Sequence, residues 1–478
     1  MTDDSHELGS ETHSPGPATT ATPSDTAPVS VLIRFCFGDL ARAFLGGIVT
    51  SYLLVVFIPS STSSLPVLIP AAAATLALVR GIGAVVDALV DPLIAARSDA
   101  SDNRRGRRIP YLRWSAIPWA VSTAALVLVP VPQQSWVNAV WVGIILLVNV
   151  VSSSLYTVPF NALQAEIVTG QRRRVWFYTL NTLFYVIGSA VVFTAPVIKG
   201  MLAATTLTEL ASWQLTFVLF SVLGAISAIV AATSVNETRW VRFTPTHVPL
   251  WESFAATFRY PNYVVLLAGY LVMWVAFSLF NATLLYYITM LMGAPEAFAA
   301  VVSGVAIVIG IASYWPINRI VAHIGKKPLL IGACLSYVFI YAAIYEYQWV
   351  LTLLPPEIFA LLIGVLIGFP ISVTNILPSA AFADLTEYDT ITTGINRAGM
   401  FYASRNFITS LAQTVVIAVT PTLIAWGSDD GKATVDGVRL TAGVAAVAIA
   451  AATALYWFYD DKGIVAALDE HRRLSDAQ

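Results

Sequence analysis

Charged side chains are scarce in this sequence. Aspartate, glutamate, lysine and arginine make up only 11% of the 478 residues, whereas hydrophobic residues make up 57%. An average soluble domain carries about 25% charged residues, and the mean hydropathy here is +0.74. The shortage of charge excludes an ordinary soluble protein and indicates a membrane protein.

Other shortages exclude further classes. The net charge is −2, so no basic surplus is present for binding nucleic acid. Only two cysteines occur, Cys36 and Cys334, and both lie in apolar runs, which excludes a disulfide framework. The sequence also lacks a His/Glu metal motif, a phosphate-binding loop and a nucleophile elbow. An enzyme is therefore not predicted, and no cofactor is expected.

Long apolar runs fill most of the chain, and each can span a bilayer of roughly 30 Å. In lipid the backbone must form its hydrogen bonds internally, so these runs are predicted to be helices. Twelve spans are predicted, near residues 31–59, 66–97, 110–131, 136–168, 173–198, 211–235, 262–292, 296–322, 328–349, 355–384, 399–427 and 438–459.

Polar segments divide these spans into two groups. Residues 1–30 lack the basic start and early apolar core of a cleavable signal peptide, and are expected to form a disordered cytosolic tail. A cytosolic linker at 236–261 separates a first six-helix bundle at 31–235 from a second at 262–460. Residues 461–478 are expected to form a second cytosolic tail.

The two groups of spans resemble each other. "DP" followed by "GRRIP" in the first half matches "WP" followed by "GKKP" in the second, Thr157 matches Asn375, and Glu166 matches Asp384. Such internal repeats are typical of the major facilitator fold. The sequence thus predicts an all-α membrane protein with 12 transmembrane helices in two six-helix bundles.

Arginine and lysine are distributed unevenly between the two sides of these spans. With the N-terminus inside, 19 of the 26 lie on inner segments, and only Lys199, Lys432 and Arg439 lie on outer ones. Cytoplasmic loops carry such an excess. We therefore predict a multi-pass plasma-membrane protein with both termini in the cytoplasm.

Asp87 and Asp91 stand out in the second span, within "DALVDPLIAARSDASDNRRGRRIPYL". An intramembrane charge costs roughly 2.5–3.5 kcal/mol on insertion scales. The spacing of four residues puts both carboxylates on one helix face, and Pro92 frees a backbone carbonyl nearby. Such oxygens suit a small cation, and paired carboxylates equally hold a proton. The alternative is a buried salt bridge from Asp87 to Arg80, which leaves Asp91 unexplained.

Two other groups of charges have simpler interpretations. Arg34 and Asp39, near the inner end of the first span, are expected to reach the membrane interface. The arginines of "RRGRR" are typical of a positive-inside anchor. The matching "GKKP" of the second half suggests an alternative. In it, these basic loops form a brace whose ion pairs change partners when the two halves rock.

The second span resembles the helix 2 signature of the glycoside–pentoside–hexuronide:cation symporter family, the melibiose permease group. "FADLTEYDTITTGINRAGMFY" resembles that family's helix 10–11 motif, and "FGDLARAF" and "YTVPFNALQAEI" are similar to weaker blocks. The likeness covers residues 31 to 460. Members of the family couple a sugar or related solute to Na+, Li+ or H+.

The resemblance implies roles for particular residues. It places the cation or proton site at Asp87, Asp91 and the hydroxyl of Ser154. It also places an inner gate of salt bridges at Arg174, Asp384, Glu387 and Arg397.

The sequence departs from the family pattern at several positions. Val90 replaces an oxygen ligand, so H+ becomes at least as good a coupling ion as Na+. The sugar-binding acids of the family fall on Ala43 and Thr157, and its helix 11 lysine falls near Ser410 or Leu411. The galactoside recognition set is therefore missing, and melibiose is not implied.

The candidate substrate pocket combines hydrogen-bonding groups, cations and aromatic faces. Its predicted residues are Thr157, Asn161, Thr182, Asn375, Arg405, Arg42, Tyr156 and Trp315. Amides and hydroxyls beside aromatic rings suit a polyol, and the two arginines equally suit a carboxylate such as a hexuronate. For each aromatic residue the alternative is helix packing or an interfacial anchor.

These observations predict a monomeric secondary transporter that moves a sugar or glycoside-like solute together with H+ or Na+ by alternating access. The partners are a small solute and the lipid bilayer. Two alternatives remain: a transporter of an amphipathic lipid or drug on the same fold, and a membrane enzyme or sensor.

Overall fold

The computed structural model describes residues 27–61, 63–99, 101, 103, 106–168, 171–240, 258, 260–393, 398–428 and 431–476. The predicted linker lies mostly outside these residues, as do residues 1–26 of the predicted N-terminal tail. Throughout the described ranges the regular secondary structure is helical, apart from an isolated bridge between Ser60 and Ala433.

The first bundle contains seven helices and is followed by a single helical turn. The helices are α1 (Val29–Phe57), α2 (Ala72–Asp99), α3 (Ile109–Ala125), α4 (Trp136–Glu166), α5 (Gln171–Val192), α6 (Ala195–Ala203) and α7 (Glu209–Ser234), and the turn is α8 (Glu237–Trp240).

The second bundle begins at Pro261 and is followed by one further helix. Its members are α9 (Pro261–Tyr286) with a π-helical turn (Tyr287–Leu291), α10 (Phe298–Ala312), α11 (Tyr314–Ile324), α12 (Lys326–Tyr345), α13 (Tyr347–Leu353), α14 (Pro356–Thr393), α15 (Ala398–Ile424) and α16 (Val435–Phe458). The final helix is α17 (Asp461–Asp476).

The twelve predicted spans correspond to helices of this structure, with two of them broken. Nine helices in the described ranges are long and apolar enough to cross a membrane, and α10 with α11 forms a tenth span bent by 52°. The shorter helix α3 and the apolar part of α15 (Ile408–Ile424) complete the twelve. Pro316 lies just inside α11 and cannot donate the backbone hydrogen bond that would continue α10, which explains the bend.

Several helix starts follow from local sequence. The side chains of Ser135, Thr208 and Thr434 accept backbone N–H bonds at the N-termini of α4, α7 and α16. Such caps satisfy donors that have no partner inside the helix. Pro261 occupies the first position of α9, where a missing N–H costs nothing.

The two ends of the bundles differ in how they are closed. We call the end at which α1 begins the basic face, and the end at which α1 finishes the far face. One cluster of buried apolar side chains joins the far half of the first bundle to the second bundle, whereas the other stays in the basic-face half of the first bundle. The two bundles therefore share a core only toward the far face.

Hydrogen bonds between the bundles follow the same pattern. The Tyr286 hydroxyl donates to the carbonyl of Ile58 at 2.8 Å, and the backbone N–H of Ala433 donates to that of Pro59 at 3.0 Å. Lys199 forms an ion pair with Glu296 at 3.0 Å. These contacts join described residues of the two bundles at the far face.

The segment after the last span is helical. Of residues 461–478, predicted as a cytosolic tail, Asp461–Asp476 form α17, which packs against α14. Ile464 and Leu468 are buried in this contact. Their spacing of four residues gives the short helix the apolar side that anchors it.

Candidate functional site

The two intramembrane aspartates lie where α2 packs against α4. The hydroxyl of Ser154 donates a hydrogen bond of 2.6 Å to Oδ1 of Asp87. Oδ1 of Asp91 is buried and has no hydrogen-bond partner among the described residues. The helices approach closely because Gly83 has no side chain: a Cβ there would lie 2.9 Å from Cδ2 of Leu146. The structure thus brings together Asp87, Asp91 and Ser154, as predicted.

Arg80 does not neutralise this pair. Its side chain is only 4% exposed, and its guanidinium donates to the carbonyl of Val49 at 3.3 Å. Within the described part of the chain it forms no ion pair with Asp87, so the alternative interpretation as a salt bridge is wrong for this structure. The two carboxylates are left for another positive group.

A polar stripe continues along α4 beyond Ser154. Thr157 and Asn161 follow at intervals of three and four residues, which places all three side chains on one helix face. Thr157 is half-buried, and Asn161 is exposed and accepts a hydrogen bond from Arg42 at 3.3 Å. Thr157 and Asn161, two of the predicted substrate residues, therefore lie on the same face as the cation-site hydroxyl.

Arg42 anchors a second polar group of the first bundle. It pairs with Asp39 at 2.9 Å, and the amide of Gln164 donates to the other oxygen of Asp39 at 3.0 Å. The guanidinium also lies 5.8 Å from the ring centre of Tyr185. Asp39 is only 3% exposed, so the expectation that it reaches the membrane interface is wrong, whereas Arg34 is exposed. Asp39 instead holds Arg42 beside Asn161.

The second bundle contributes Arg405 and Asn375. Arg405 donates to the hydroxyl of Ser379 at 3.0 Å and lies over the rings of Tyr270 and Phe382 at 5.7 and 5.8 Å. Asn375 is exposed one turn before Ser379 on α14, and its amide donates to the carbonyl of Ile371. The second bundle thus contributes to the candidate site a guanidinium held by aromatic faces and an exposed amide.

Three other predicted substrate residues have different environments. Tyr156 is fully buried between Trp119 and Phe160, and its hydroxyl donates to the carbonyl of Ala228, which is the environment of the helix-packing alternative. Thr182 is exposed on α5 and donates to the carbonyl of Tyr178. Trp315 is 66% exposed, with the guanidinium of Arg319 at 4.1 Å from its ring. The roles of all three residues stay predictions.

An ion cluster closes the basic-face end of the first bundle. Arg108 pairs with Glu166 at 2.5 Å, and Arg107 lies 3.5 Å from the same carboxylate. Glu237, the first residue of α8, accepts the backbone N–H groups of Arg108 and Ile109 at 2.8 and 3.1 Å. Its carboxylate therefore caps α3 from a distant part of the sequence.

The second bundle repeats this arrangement with other residues. Lys326 forms an ion pair with Asp384, the counterpart of Glu166, and Asp461 opens α17 as Glu237 opens α8. Asp461 is buried, and burial raises the pKa of its carboxyl, with the nearby Asp384 adding to the rise. Each bundle is thus braced by a basic loop, an acid at the end of a span and an acid in the following helix.

The predicted inner gate stays a prediction. In this structure Asp384 pairs with Lys326 of its own bundle. Lys326 belongs to "GKKP" and is the first residue of α12. Glu387 is exposed on α14. The side chain of Arg174 and the whole of Arg397 lie outside the described residues.

Sequence reasoning missed Glu237, Asp461, Gln164 and the ion pair of Lys199 with Glu296. One signal was available for the first two. Each is an acidic residue at the start of a short helix that directly follows the sixth or the twelfth span. Gln164 and Glu296 lack such a pattern, because their partners are distant in sequence.

Two similar proteins carry symporter names. The uncharacterized symporter YnaJ of Bacillus subtilis (strain 168) is 27% identical over 261 residues, which cover 54% of this chain and 54% of YnaJ. The uncharacterized symporter sll1374 of Synechocystis sp. (strain ATCC 27184 / PCC 6803 / Kazusa) is 28% identical over 158 residues, 32% of this chain and 27% of that protein. The match thus spans about half of the first relative and about a quarter of the second.

Solved transporters share the fold at low sequence identity. The inward-facing bacterial homologue of the iron transporter ferroportin gives a TM-score of 0.64 at 12% identity, covering 91% of this chain and 100% of the other. The nucleoside transporter NupG gives 0.61 at 12%, covering 90% and 99%. The D-xylose-proton symporter gives 0.58 at 15%, covering 90% and 96%.

A family model described as MFS/sugar transport protein matches residues 35–460, nearly the whole of the two bundles. Together with the twelve helices, this match shows a multi-pass membrane transporter and not an enzyme, and the chain belongs to the MFS/sugar transport protein family.

Proposed function

We propose that this protein is a symporter that couples a sugar or glycoside-like solute to H+ or Na+ by alternating access. The observation that carries the proposal is the cation-site geometry: Ser154 donates to Asp87, and a buried oxygen of Asp91 has no partner in the described structure. An unpaired buried carboxylate oxygen is costly unless a proton or cation accompanies it. Reversible binding of that cation supplies the coupling.

The donor set favours a proton over Na+. Asp87, Asp91 and Ser154 supply oxygens there, whereas Val90 offers only an apolar side chain between the two acids. Two neighbouring carboxylates share a proton readily because they cannot both stay ionised in a low-dielectric site. A hard metal cation such as Na+ needs more oxygen ligands than these three side chains provide.

The residues of the candidate pocket support a polar solute. On α4, Thr157 is half-buried and Asn161 is exposed, and Asn375 is exposed on α14 at the position that matches Thr157. These groups hydrogen-bond hydroxyls, and Arg42 and Arg405 add fixed donors on either side. The family description and the symporter names of the relatives agree with a sugar as cargo.

The far-face bonds between the bundles support alternating access. By the distribution of arginine and lysine the basic face is cytoplasmic, so these bonds lie on the outer side. Rocking of the bundles would break the far-face bonds and expose the midplane site to the outside. Solute and cation are coupled because both stabilise the same closed states.

The test is solute-induced pH change in proteoliposomes across disaccharides, hexosides, pentosides and hexuronates, with and without Na+. We expect proton movement with at least one solute, lost in Asp91→Asn and independent of Na+. Asp436→Asn is the matched control, because Asp436 is an exposed acid at the far face. Solute uptake that moves no protons and requires Na+ would refute proton coupling. Folded protein that transports none of the panel would refute the sugar assignment.

A further inference from the structure

The second bundle contains a pocket with two unsatisfied hydrogen-bond donors. Nε1 of Trp274 is buried without a partner among the described residues, and the buried hydroxyl of Tyr337 lies beside Thr374 but forms no hydrogen bond of good geometry. Both residues line one pocket between α9, α12, α14 and α16, together with Tyr341, Thr374 and Asn375. We call it the aromatic pocket. Leaving a buried donor unpaired is expensive, so its natural occupant supplies an acceptor.

The aromatic pocket lies at the depth of the cation site. Trp274 is in the middle of α9, Asn375 in the middle of α14, and Asp87 in the middle of α2. Asn375 is exposed, so the pocket opens where that amide faces the space between the bundles. Transporters of this architecture bind their cargo near the midplane, at the interface of the repeats. A solute beside Asn375 can therefore extend one arm into the pocket.

The size of the pocket limits what that arm can be. The empty volume of the pocket is about 300 Å³ including the space open to solvent, and its enclosed part has room for about one water-sized group. Rings of Trp274, Phe277 and Tyr341 form its apolar walls. A complete sugar ring does not fit into this enclosed part, whereas a single small group with one oxygen atom does.

A hydroxyl satisfies every group in the pocket. Its oxygen has two lone pairs, which accept the Tyr337 O–H and the Trp274 N–H. Its own proton is donated to Thr374 or Asn375. Both retain acceptor capacity, because the Thr374 hydroxyl donates to the carbonyl of Pro370 and the Asn375 amide donates through Nδ2. A methylene group beside the hydroxyl contacts the aromatic walls.

Other small groups fit less well. A methyl group leaves both donors unpaired. A carboxylate brings a full charge into a pocket that no basic side chain lines, which is costly in a low-dielectric interior. A solute without the arm leaves the pocket to an ordered water and gains nothing from it.

We propose that the aromatic pocket is a subsite for one hydroxymethyl group of the solute, so that this transporter prefers hexosides over 6-deoxy sugars, pentosides and hexuronates. The inference rests on the proposed function, because it concerns the solute of the same symporter. It adds Tyr337 and Trp274 as residues that determine specificity.

The test measures equilibrium binding to the full-length protein in lipid nanodiscs by calorimetry. The ligands are methyl β-D-glucopyranoside and methyl β-D-galactopyranoside, their 6-deoxy forms, methyl β-D-xylopyranoside and methyl β-D-glucuronide. We expect a hexoside to bind about tenfold or more tightly than its 6-deoxy form, since a site built to pair a hydroxyl rejects the analogue that lacks it. The pentoside and the hexuronate should also be weaker.

Single substitutions in the aromatic pocket test whether its donors cause the preference for hexosides. Tyr337→Phe should reduce the preference for the hexoside to within about threefold, because one of the two donors is gone. Ser336→Ala is the matched control: it removes the hydroxyl next to Tyr337 in α12, but Ser336 does not line the pocket, and its hydroxyl donates to the carbonyl of Gly332. Trp274→Phe removes the other donor and serves as a second test if Tyr337→Phe does not fold.

The outcomes separate this inference from the proposed function. Equal binding of hexosides and their 6-deoxy forms, or an unchanged preference in Tyr337→Phe, would overturn the hydroxymethyl subsite while leaving the sugar symporter intact. Failure of every glycoside to bind folded protein would overturn both.

Discussion

Lys199 of α6 and Glu296, just before α10, form an ion pair of 3.0 Å across the far face of the two bundles. The same ammonium group pairs with Glu209 at 2.7 Å, and Lys199 is only 7% exposed. Glu209 also accepts hydrogen bonds from Ser63 and Ser64. The ion pair therefore connects a cluster of the first bundle to the second bundle, and the far face cannot open without breaking it.

Neutralising Glu296 should favour opening of the far face. In Glu296→Gln the ammonium of Lys199 retains its ion pair with Glu209 but no longer has a charged partner on the second bundle. A cysteine introduced at Ala433, at the seam, should then react about three- to tenfold faster with a membrane-impermeant maleimide, which corresponds to roughly 1 kcal/mol of shifted equilibrium. The native Cys36 and Cys334 are buried and give little background.

Glu346→Gln is the matched control for that experiment. Glu346 pairs with Arg439 at 3.3 Å, and both residues belong to the second bundle. Removing this charge should leave the labelling rate at Ala433→Cys unchanged. Equal rates in Glu296→Gln and Glu346→Gln would show that the Lys199 pair does not hold the far face closed.

A cross-link at the same seam should arrest transport. Ser60 and Ala433 form the isolated bridge between the bundles, a separation typical of residues that a disulfide can join. In Ser60→Cys/Ala433→Cys, oxidation should lock the far face and stop solute uptake, and reduction should restore it. Each single cysteine variant should transport normally under oxidising conditions. Full uptake by the oxidised double variant would show that the far face need not open at this point.

Ser154→Ala should tighten proton binding at the site without abolishing transport. The hydroxyl donates to Asp87 at 2.6 Å, and a hydrogen bond to a charged group contributes about 1.5–3 kcal/mol. Because its loss disfavours the ionised carboxylate, the proton concentration that gives half-maximal uptake should fall about tenfold or more. Ser153→Ala is the control, because the Ser153 hydroxyl bonds to the carbonyl of Val150 within its own helix. A similar shift in both variants would contradict a specific role for Ser154.

The sequence predicted the features that depend on residues close together in the chain. Asp87 and Asp91 share a helix face because they are four residues apart, and the apolar runs fix the twelve spans. The correspondence of Glu166 with Asp384 also holds, since both accept an ion pair from the basic loop of their own bundle. These results follow from helix periodicity and from the internal repeat.

Partner choice between distant residues was not predictable in the same way. The position of Asp39 near the start of α1 predicts an acid at the membrane interface. The structure instead places Gln164 and Arg42 beside it. Tyr156 occupies a position expected to face the cavity, but the packing of Trp119 and Phe160 buries its ring. Small rotations of a helix decide such cases, and periodicity does not specify them.

The last prediction concerns the close contact between Gly106 and Glu237. Gly106 has a positive φ of +104°, and a Cβ at this position would lie 2.4 Å from Oε2 of Glu237. The same carboxylate oxygen caps the backbone of Arg108 and Ile109. Gly106→Ala should therefore both strain the loop and displace the cap.

Gly106→Ala and Glu237→Ala should each lower thermal stability, by several degrees in a melting experiment on detergent-solubilised protein. Each leaves buried N–H groups of α3 without an acceptor, at about 1–3 kcal/mol per group. Because both act on one cap, the double variant should lose less than the sum of the two single losses. Glu357→Ala, an exposed acid in the first turn of α14, should change the melting temperature little. Additive losses would show that Gly106 matters for its backbone conformation alone, and that the carboxylate of Glu237 does not depend on it.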